Sequence, residues 1–336
     1  MVAANLSLWC MPAEPPTMAT DPKVPLWLSV ARFGSLTNVL TCCASMIDYC
    51  APSLQLPYDW HMIDTHAHLT FPDYAGRIDE ILEHAASAGV TGVITIATTT
   101  VDSHDALRVA KEYDNVWCTA GVHPLYADKE PHDWNAIREI AKHEKCVAWG
   151  ELGLDNKHSR PVRSIQDPVL ATHLAFIESC KANDGIDLPI VIHCREAFDD
   201  LLPILRETTL DPSRFVFHCF TGNTDDVRAV LDFGAMVSFT GVVTYKNAKE
   251  VAEAAKLVPD DRIMVETDSP FLAPDPKRGT RPCVPGYARY TAQFLAALRN
   301  TPFEKFHDQI DANTEAFFGI KVPKPAPEII ANPCTC

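Results

Sequence analysis

Met62-Ile63-Asp64-Thr65-His66-Ala67-His68-Leu69 reads as a short buried strand that ends by offering two imidazoles. Side chains alternate faces along a strand, so His66 and His68 point the same way, close enough to share one cation. A lone His-x-His pair is a weak signal, because core histidines also arise for structural reasons. Its weight comes from what recurs downstream.

From Trp60 onward, apolar strand-like runs alternate with helix-period segments. Strands are expected at His61 to His66, Val90 to Ala97, Val116 to Val122 and Cys146 to Gly150, then at Pro189 to His193, Phe215 to His218, Ala235 to Phe239 and Arg262 to Glu266. Helices are expected at Arg77 to Ala88, from Asp102-Ser103 to near Tyr113, and at Asp133 to His143 and Asp167 to Asn183. Further helices should cover Phe198 to Arg206, Asp225 to Phe233 and Ala248 to Leu257. A long helix near Tyr287 to Arg299 and shorter ones up to Phe318 close the pattern. Eight alternations of apolar strand and amphipathic helix indicate an α/β chain whose parallel sheet closes as a (β/α)8 TIM barrel. An open doubly wound sheet competes, but no Gly-x-Gly-x-x-Gly turn supports it.

The 336 residues suffice for one such barrel, and 47% hydrophobic with 22% charged residues is ordinary for a soluble globular protein. A net charge of -15 argues against nucleic-acid affinity driven by a global basic surface. It leaves open a grip on phosphates through metal ions and a few local cations. The twelve cysteines are scattered and form no CxxC pairs, so a reducing, cytoplasmic or nuclear setting is the simpler reading. Cys194 and Cys219 each follow a strand-end histidine, and alternation turns them toward outer helices. Residues 1-59 carry few charges and resemble neither a secretory signal nor a membrane span, and no membrane association is expected. They are expected as a poorly ordered or peripheral extension, followed by the barrel at 60-319 and a proline-rich tail at 320-336 running over the surface.

Active sites of such barrels sit at the C-terminal ends of the strands. Six metal-capable side chains fall there: His66, His68, Glu151, His193, His218 and Asp268. One ion can be held by His66, His68 and Asp268, a second by His193 and His218, with Glu151 bridging. Mixed nitrogen and oxygen donors suit Zn2+, Mn2+, Ni2+ or Co2+ and fit a site for Mg2+ alone less well. Two ions roughly 3.5–4 Å apart would lower the pKa of a shared water and clamp the oxygens of a transition state. Neutral imidazoles are required, so binding should weaken as pH falls through the histidine range.

Six ordered motifs carry a family resemblance over Met62 to Gly319. They are Asp64-Thr65-His66-Ala67-His68, Gly121-Val122-His123-Pro124, Gly150-Glu151-Leu152-Gly153-Leu154-Asp155, Ile192-His193-Cys194-Arg195-Glu196-Ala197, His218-Cys219-Phe220-Thr221-Gly222 and Glu266-Thr267-Asp268-Ser269-Pro270-Phe271-Leu272. Together they resemble the TatD-type metal-dependent deoxyribonucleases, among the amidohydrolase-like barrels. The resemblance implies a two-metal hydrolase with those six ligands, Glu151 shared between the ions, and Glu151 and Asp268 as catalytic residues. It also implies DNA as substrate, single-stranded or at ends, cleaved at phosphodiester bonds in the 3′-5′ exonuclease manner. Asp268 would both ligate metal and orient or deprotonate the attacking water. The chain departs from the family at Asn156, at Asp167-Pro168 and at Thr280-Arg281-Pro282-Cys283, all in loops that shape the mouth.

Other readings of single residues stay open. Asp268 would suit a helix N-cap before Ser269-Pro270. His123 is either a mouth residue or a loop anchor beside Pro124. Arg195 would meet a substrate phosphate bidentately or pair with Glu196 or Asp155. Asp155 is a further candidate for substrate contact. Lys157, Arg160, Arg163, Lys277, Arg278 and Arg281 form either a local phosphate track or solvated loops. At the level of function, the rivals are hydrolysis of a C–N or C–O bond in a small molecule and a non-catalytic scaffold on an enzyme fold.

Overall fold

The strands of the sheet are β1 Met62–Ala67, β2 Val90–Thr95, β3 Val116–Ala120, β4 Cys146–Asp155, β5 Ile190–Arg195, β6 Phe215–Phe217, β7 Met236–Phe239 and β8 Ile263–Val265. They belong to a computed structural model that describes residues 60–129 and 131–324. Residues 1–59 and 325–336, the expected extension and most of the expected tail, lie outside the described residues. All eight strands pair in parallel with their neighbours in chain order. At the seam between β8 and β1, Asp268 N–H donates to His66 O at 2.9 Å and His68 N–H to Ser269 O at 2.8 Å. The (β/α)8 barrel expected from the alternation is therefore present, with its seam bridged by the loop after β8.

Around the sheet run α1 Ile78–Ser87, α2 Thr100–Glu112, α3 Trp134–Ala141, α4 Arg163–Asp184, α5 Phe198–Arg206, α6 Thr224–Phe233, α7 Lys249–Leu257, α8 Ala288–Leu298 and α9 Phe303–Phe318. Strands covered on both faces need apolar residues at nearly every position. Accordingly β1 is buried throughout. One apolar layer joins strands to outer helices, through residues such as Val93, Leu154, Leu201 and Leu295. A second fills the barrel with Ile63, Ile94, Val147, Val191, Val216, Met236 and Met264. Among the described residues, no helix is long and apolar enough to cross a membrane.

Several boundaries differ from expectation for local reasons. The helix expected to start at Asp102-Ser103 begins at Thr100, because the Thr99 hydroxyl caps it by accepting Asp102 N–H at 3.0 Å. Asp102 instead accepts the N–H and hydroxyl of Thr98. Helix α4 starts at Arg163, ahead of the expected Asp167, and carries Pro168 inside. Helix α9 has 16 residues against 11 in α8, where shorter helices were expected. Strand β4 continues from the expected stop at Gly150 to Asp155.

The start of the tail also differs. Ile320 and Val322 are buried and pack with Phe317 and Phe318 on the apolar residues that line the barrel interior. The Thr91 hydroxyl, at the start of β2, donates to Pro323 O at 2.6 Å and ties this segment to the N-terminal end of the strands. Apolar side chains at 320 and 322 explain why these residues fold inward instead of running over the surface.

Candidate metal centre

The centre is built on the extension of β4. Gly150 and Gly153 hold φ of +136° and +147°, backbone that side chains other than glycine rarely adopt. A Cβ on Gly150 would lie 2.8 Å from Val191 O, and one on Gly153 would run into His193 O. The two glycines let β5 press against β4 while Glu151, between them, aims along the barrel axis.

Glu151 is 1% exposed and meets four imidazoles. Its Oε1 lies 2.7 Å from His218 Nε2, 2.7 Å from His193 Nδ1 and 3.4 Å from His123 Nε2. Its Oε2 lies 3.3 Å from His66 Nε2. Across the centre, Asp268 Oδ1 stands 3.3 Å from His68 Nε2 and 3.7 Å from His66 Nε2. The six residues expected at the metals thus converge on one place. His68, Glu151, His193, His218 and Asp268 line a cavity of about 340 Å³, while His66 is fully buried. Asp268 caps no helix: it takes a φ of +59°, and its carbonyl accepts only a local Phe271 N–H at 2.9 Å.

Three groups of donor atoms lie within 4.8 Å of one another: His66, His68 and Asp268; His66, Glu151 and His218; and His123, Glu151 and His193. The first trio is the one expected for a single ion. The second expected set spans the other two groups, which share Glu151, and His193 and His218 both lie 2.7 Å from its Oε1. The donor chemistry fits divalent cations, for His66 is wholly buried with neither ring nitrogen hydrogen-bonded. A buried imidazole left so, facing two carboxylates, suits a metal ligand better than a satisfied core residue.

Electrostatics in the centre favour charge separation. Burial opposes ionisation of Glu151, but His218, His123 and His66 outweigh it and hold the carboxyl well below its usual range. Burial likewise opposes protonation of His218, yet Glu151 and then Glu266 raise it well above the ordinary histidine value. His66 is lowered, first by burial and then by His218. His123 is lowered by burial to about 4.

Outer partners orient the rings. His193 Nε2 is 3.0 Å from Asp155 Oδ2, and His68 Nδ1 is 3.1 Å from Ile96 O. His218 Nδ1 is 3.3 Å from Glu266 Oε1, which also accepts Cys219 N–H at 2.6 Å. Asp64 accepts Thr267 N–H at 2.9 Å, beside Asp268. Glu266 and Asp64 were missed as site residues. The available signal was a buried acid in an apolar strand run, inside β1 for Asp64 and just past β8 for Glu266.

Asp155, a candidate for substrate contact, lines the cavity and holds its Oδ2 3.0 Å from His193 Nε2. It is 1% exposed, and its other oxygen accepts Lys157 N–H and His158 N–H. His123 fills both of its open readings. Its Nδ1 accepts Leu125 N–H at 3.0 Å, anchoring the loop, and that bond leaves the neutral ring's proton on Nε2, toward the centre. Arg195 lines the cavity, and among the described residues its guanidinium has no partner, because Glu196 pairs with Lys157 at 2.7 Å and Asp155 is taken. Cys194 packs in the outer apolar layer as expected. Cys219 does not: β6 ends at Phe217, Cys219 has a φ of +45°, and its Sγ lies 3.4 Å from Thr240 Oγ1. Strand alternation no longer applies there.

The loop cations, open to reading as a phosphate track or as solvated loops, are largely engaged by neighbours. Lys157 and Arg163 are ion-paired, the latter at 2.6 Å from Asp200. Lys277, Arg278 and Arg281 rest on aromatic faces, Arg278 at 4.0 Å from the Tyr245 centroid.

Comparison with known proteins adds four likenesses. A family model described as TatD related DNase matches residues 63–319. The chain is 35% identical over 260 residues to the uncharacterized metal-dependent hydrolase YabD of Bacillus subtilis, covering 77% of this chain and 99% of that one. It is 31% identical over 266 residues to the 3'-5' ssDNA/RNA exonuclease TatD of Klebsiella pneumoniae, covering 78% and 99%. Among solved structures it resembles YjjV, a TatD homolog from Escherichia coli, with a TM-score of 0.70 and 28% identity over 77% of this chain and 98% of that one.

Proposed function

The chain belongs to the TatD related DNase family, and on that premise we propose that it is a two-metal hydrolase that cleaves DNA phosphodiester bonds, in single strands or at ends, from the 3′ side. The observation that carries the reading is the position of Glu151. One buried carboxylate reaches His66, His193 and His218, and Asp268 faces it across His66. His66, His68 and Asp268 would hold one ion, and His193 and His218 the other, with Glu151 shared. The donors admit Zn2+, Mn2+, Ni2+ or Co2+, with Mg2+ a weaker match to so many imidazoles. Bound there, the ions supply Lewis-acid charge that acidifies a water and neutralises phosphate oxygens. The name of the Klebsiella pneumoniae relative supports nucleic acid as the substrate class.

The chain's own residues have distinct tasks in this scheme. Asp268, 17% exposed at its side chain, is the acid open to the cavity and would orient and accept a proton from the attacking water. The Nε2–H of His123 would donate to a phosphate oxygen. Arg195 would take a second phosphate oxygen bidentately. The half-apolar rim of Phe71, Leu125 and Phe271 keeps a second reading in play, hydrolysis of a C–N or C–O bond in a small molecule.

Purified protein incubated with 5′- or 3′-labelled oligonucleotides under Mg2+, Mn2+ or Zn2+ separates the two. Chelator-sensitive cleavage is expected from wild type and none from Glu151→Ala or His193→Ala, both remaining folded. Absence of cleavage with every metal would remove the nuclease reading, and activity in the variants would remove the site assignment.

A further inference from the structure

Two half-exposed phenylalanines flank the metal centre on the side of β1 and β8. Phe71 stacks on His68, with centroids 4.6 Å apart and planes at 21°. Phe271 meets Phe71 at 6.0 Å and 81°, so the rings form a corner. Both line the cavity, and neither belongs to an apolar core layer. Their loops are firmly held: Tyr74, three residues beyond Phe71, donates its hydroxyl to Cys283 O, and Cys283 N–H donates to Pro270 O at 3.0 Å. Above the corner the Arg281 guanidinium lies 5.2 Å from the Phe271 centroid. Arg281 is 66% exposed at its side chain, and its ion pair with Asp73 is long, at 3.6 Å.

Resting on the phosphodiesterase reading above, we propose that the Phe71–Phe271 corner with Arg281 is a nucleobase subsite. It stacks the base of a nucleotide flanking the cut bond, while the guanidinium takes the adjoining phosphate. The chemistry suits the parts. Every base has a π-face, so stacking on phenylalanine is tolerant of sequence, and an arginine beside it supplies local positive charge on an acidic protein. A base stacked here has left any duplex, which makes an unpaired strand the preferred substrate. The arrangement further requires a nucleotide on each side of the bond cut.

The test uses the full chain loaded with Mn2+ and single-stranded oligonucleotides. Each flanking position is replaced in turn by an abasic tetrahydrofuran residue. For wild type, one abasic position should raise KM about ten-fold, the scale of losing one base stack. Phe271→Ala should raise KM about ten-fold on the natural oligonucleotide and add little on that abasic one, because the two changes remove the same contact. Phe271→Trp should restore the natural KM, and Arg281→Ala should raise it with and without the base. Equal penalties for Phe271→Ala on natural and abasic strands would overturn the subsite, as would no penalty at all. Wild-type cleavage of the natural strand is the control: with it intact, only the subsite falls, and without it the DNA reading falls as well.

Discussion

Asp155 Oδ2 stands 3.0 Å from His193 Nε2, while Nδ1 of that ring is turned to Glu151 Oε1 at 2.7 Å. The carboxylate is itself pinned by Lys157 N–H and His158 N–H, so the ring has little freedom to rotate. Asp155→Asn should therefore lower affinity for Mn2+ or Zn2+ by about 10–100-fold while thermal unfolding shows an intact barrel. Metal titration of the two proteins reads the difference directly, and equal affinity would deny Asp155 its orienting role.

Among the described residues, the Arg195 guanidinium at the cavity wall has no partner. Arg195→Ala should raise KM for an oligonucleotide about ten-fold and leave kcat within two-fold, as expected for a contact made equally to substrate and transition state. Arg195→Lys should recover only part of the loss, because an ammonium cannot fork onto two oxygens. A fall in kcat with unchanged KM would instead place this residue at the transition state.

Metal uptake should depend on pH with a defined sign. Despite burial, Glu151 and Glu266 hold His218 protonated above its ordinary range, so at neutral pH a cation must displace a proton from that ring. Affinity should rise with pH through neutrality, by up to about ten-fold per unit while the ring remains protonated. Calorimetric titration in two buffers of different ionisation heat should show proton release near pH 7 that shrinks toward alkaline pH. Affinity independent of pH would contradict this.

A second pH effect lies away from the centre, on α9. Burial, then the charges of Glu315 and Asp308, push the Asp311 carboxyl up to about 8. A carboxyl whose folded value is raised binds its proton more tightly in the folded chain. It therefore costs stability as pH climbs from about 4, and the cost is complete above about 8. Asp311→Asn should melt higher than wild type by about 2–4 °C at pH 8.5, with the gap narrowing toward pH 5. A constant gap would tie the effect to packing and not to ionisation.

The barrel was legible because apolar runs at Val90, Val116 and Ile190 repeat at intervals set by one strand and one helix, a signal spread over the whole chain. The six donors were legible for a related reason: each closes such a run, where the fold gathers strand ends. What escaped was information held by contacts distant in sequence. Nothing in the spacing says that Asp155 would meet His193, or that Glu266 would meet His218 and Cys219. Cys219 escaped differently, since a single left-handed residue cancels the period-two rule. The grouping of Glu151, His193 and His218 depends on ångström-scale placement that spacing along a strand does not encode.

Ile320 and Val322 join the side chains that fill the barrel, and Pro323 is tied to Thr91 at the start of β2. A linear polymer cannot be drawn through this molecule as thread through a bead. Any substrate therefore enters and leaves on the side of the strand ends that carries the metal centre.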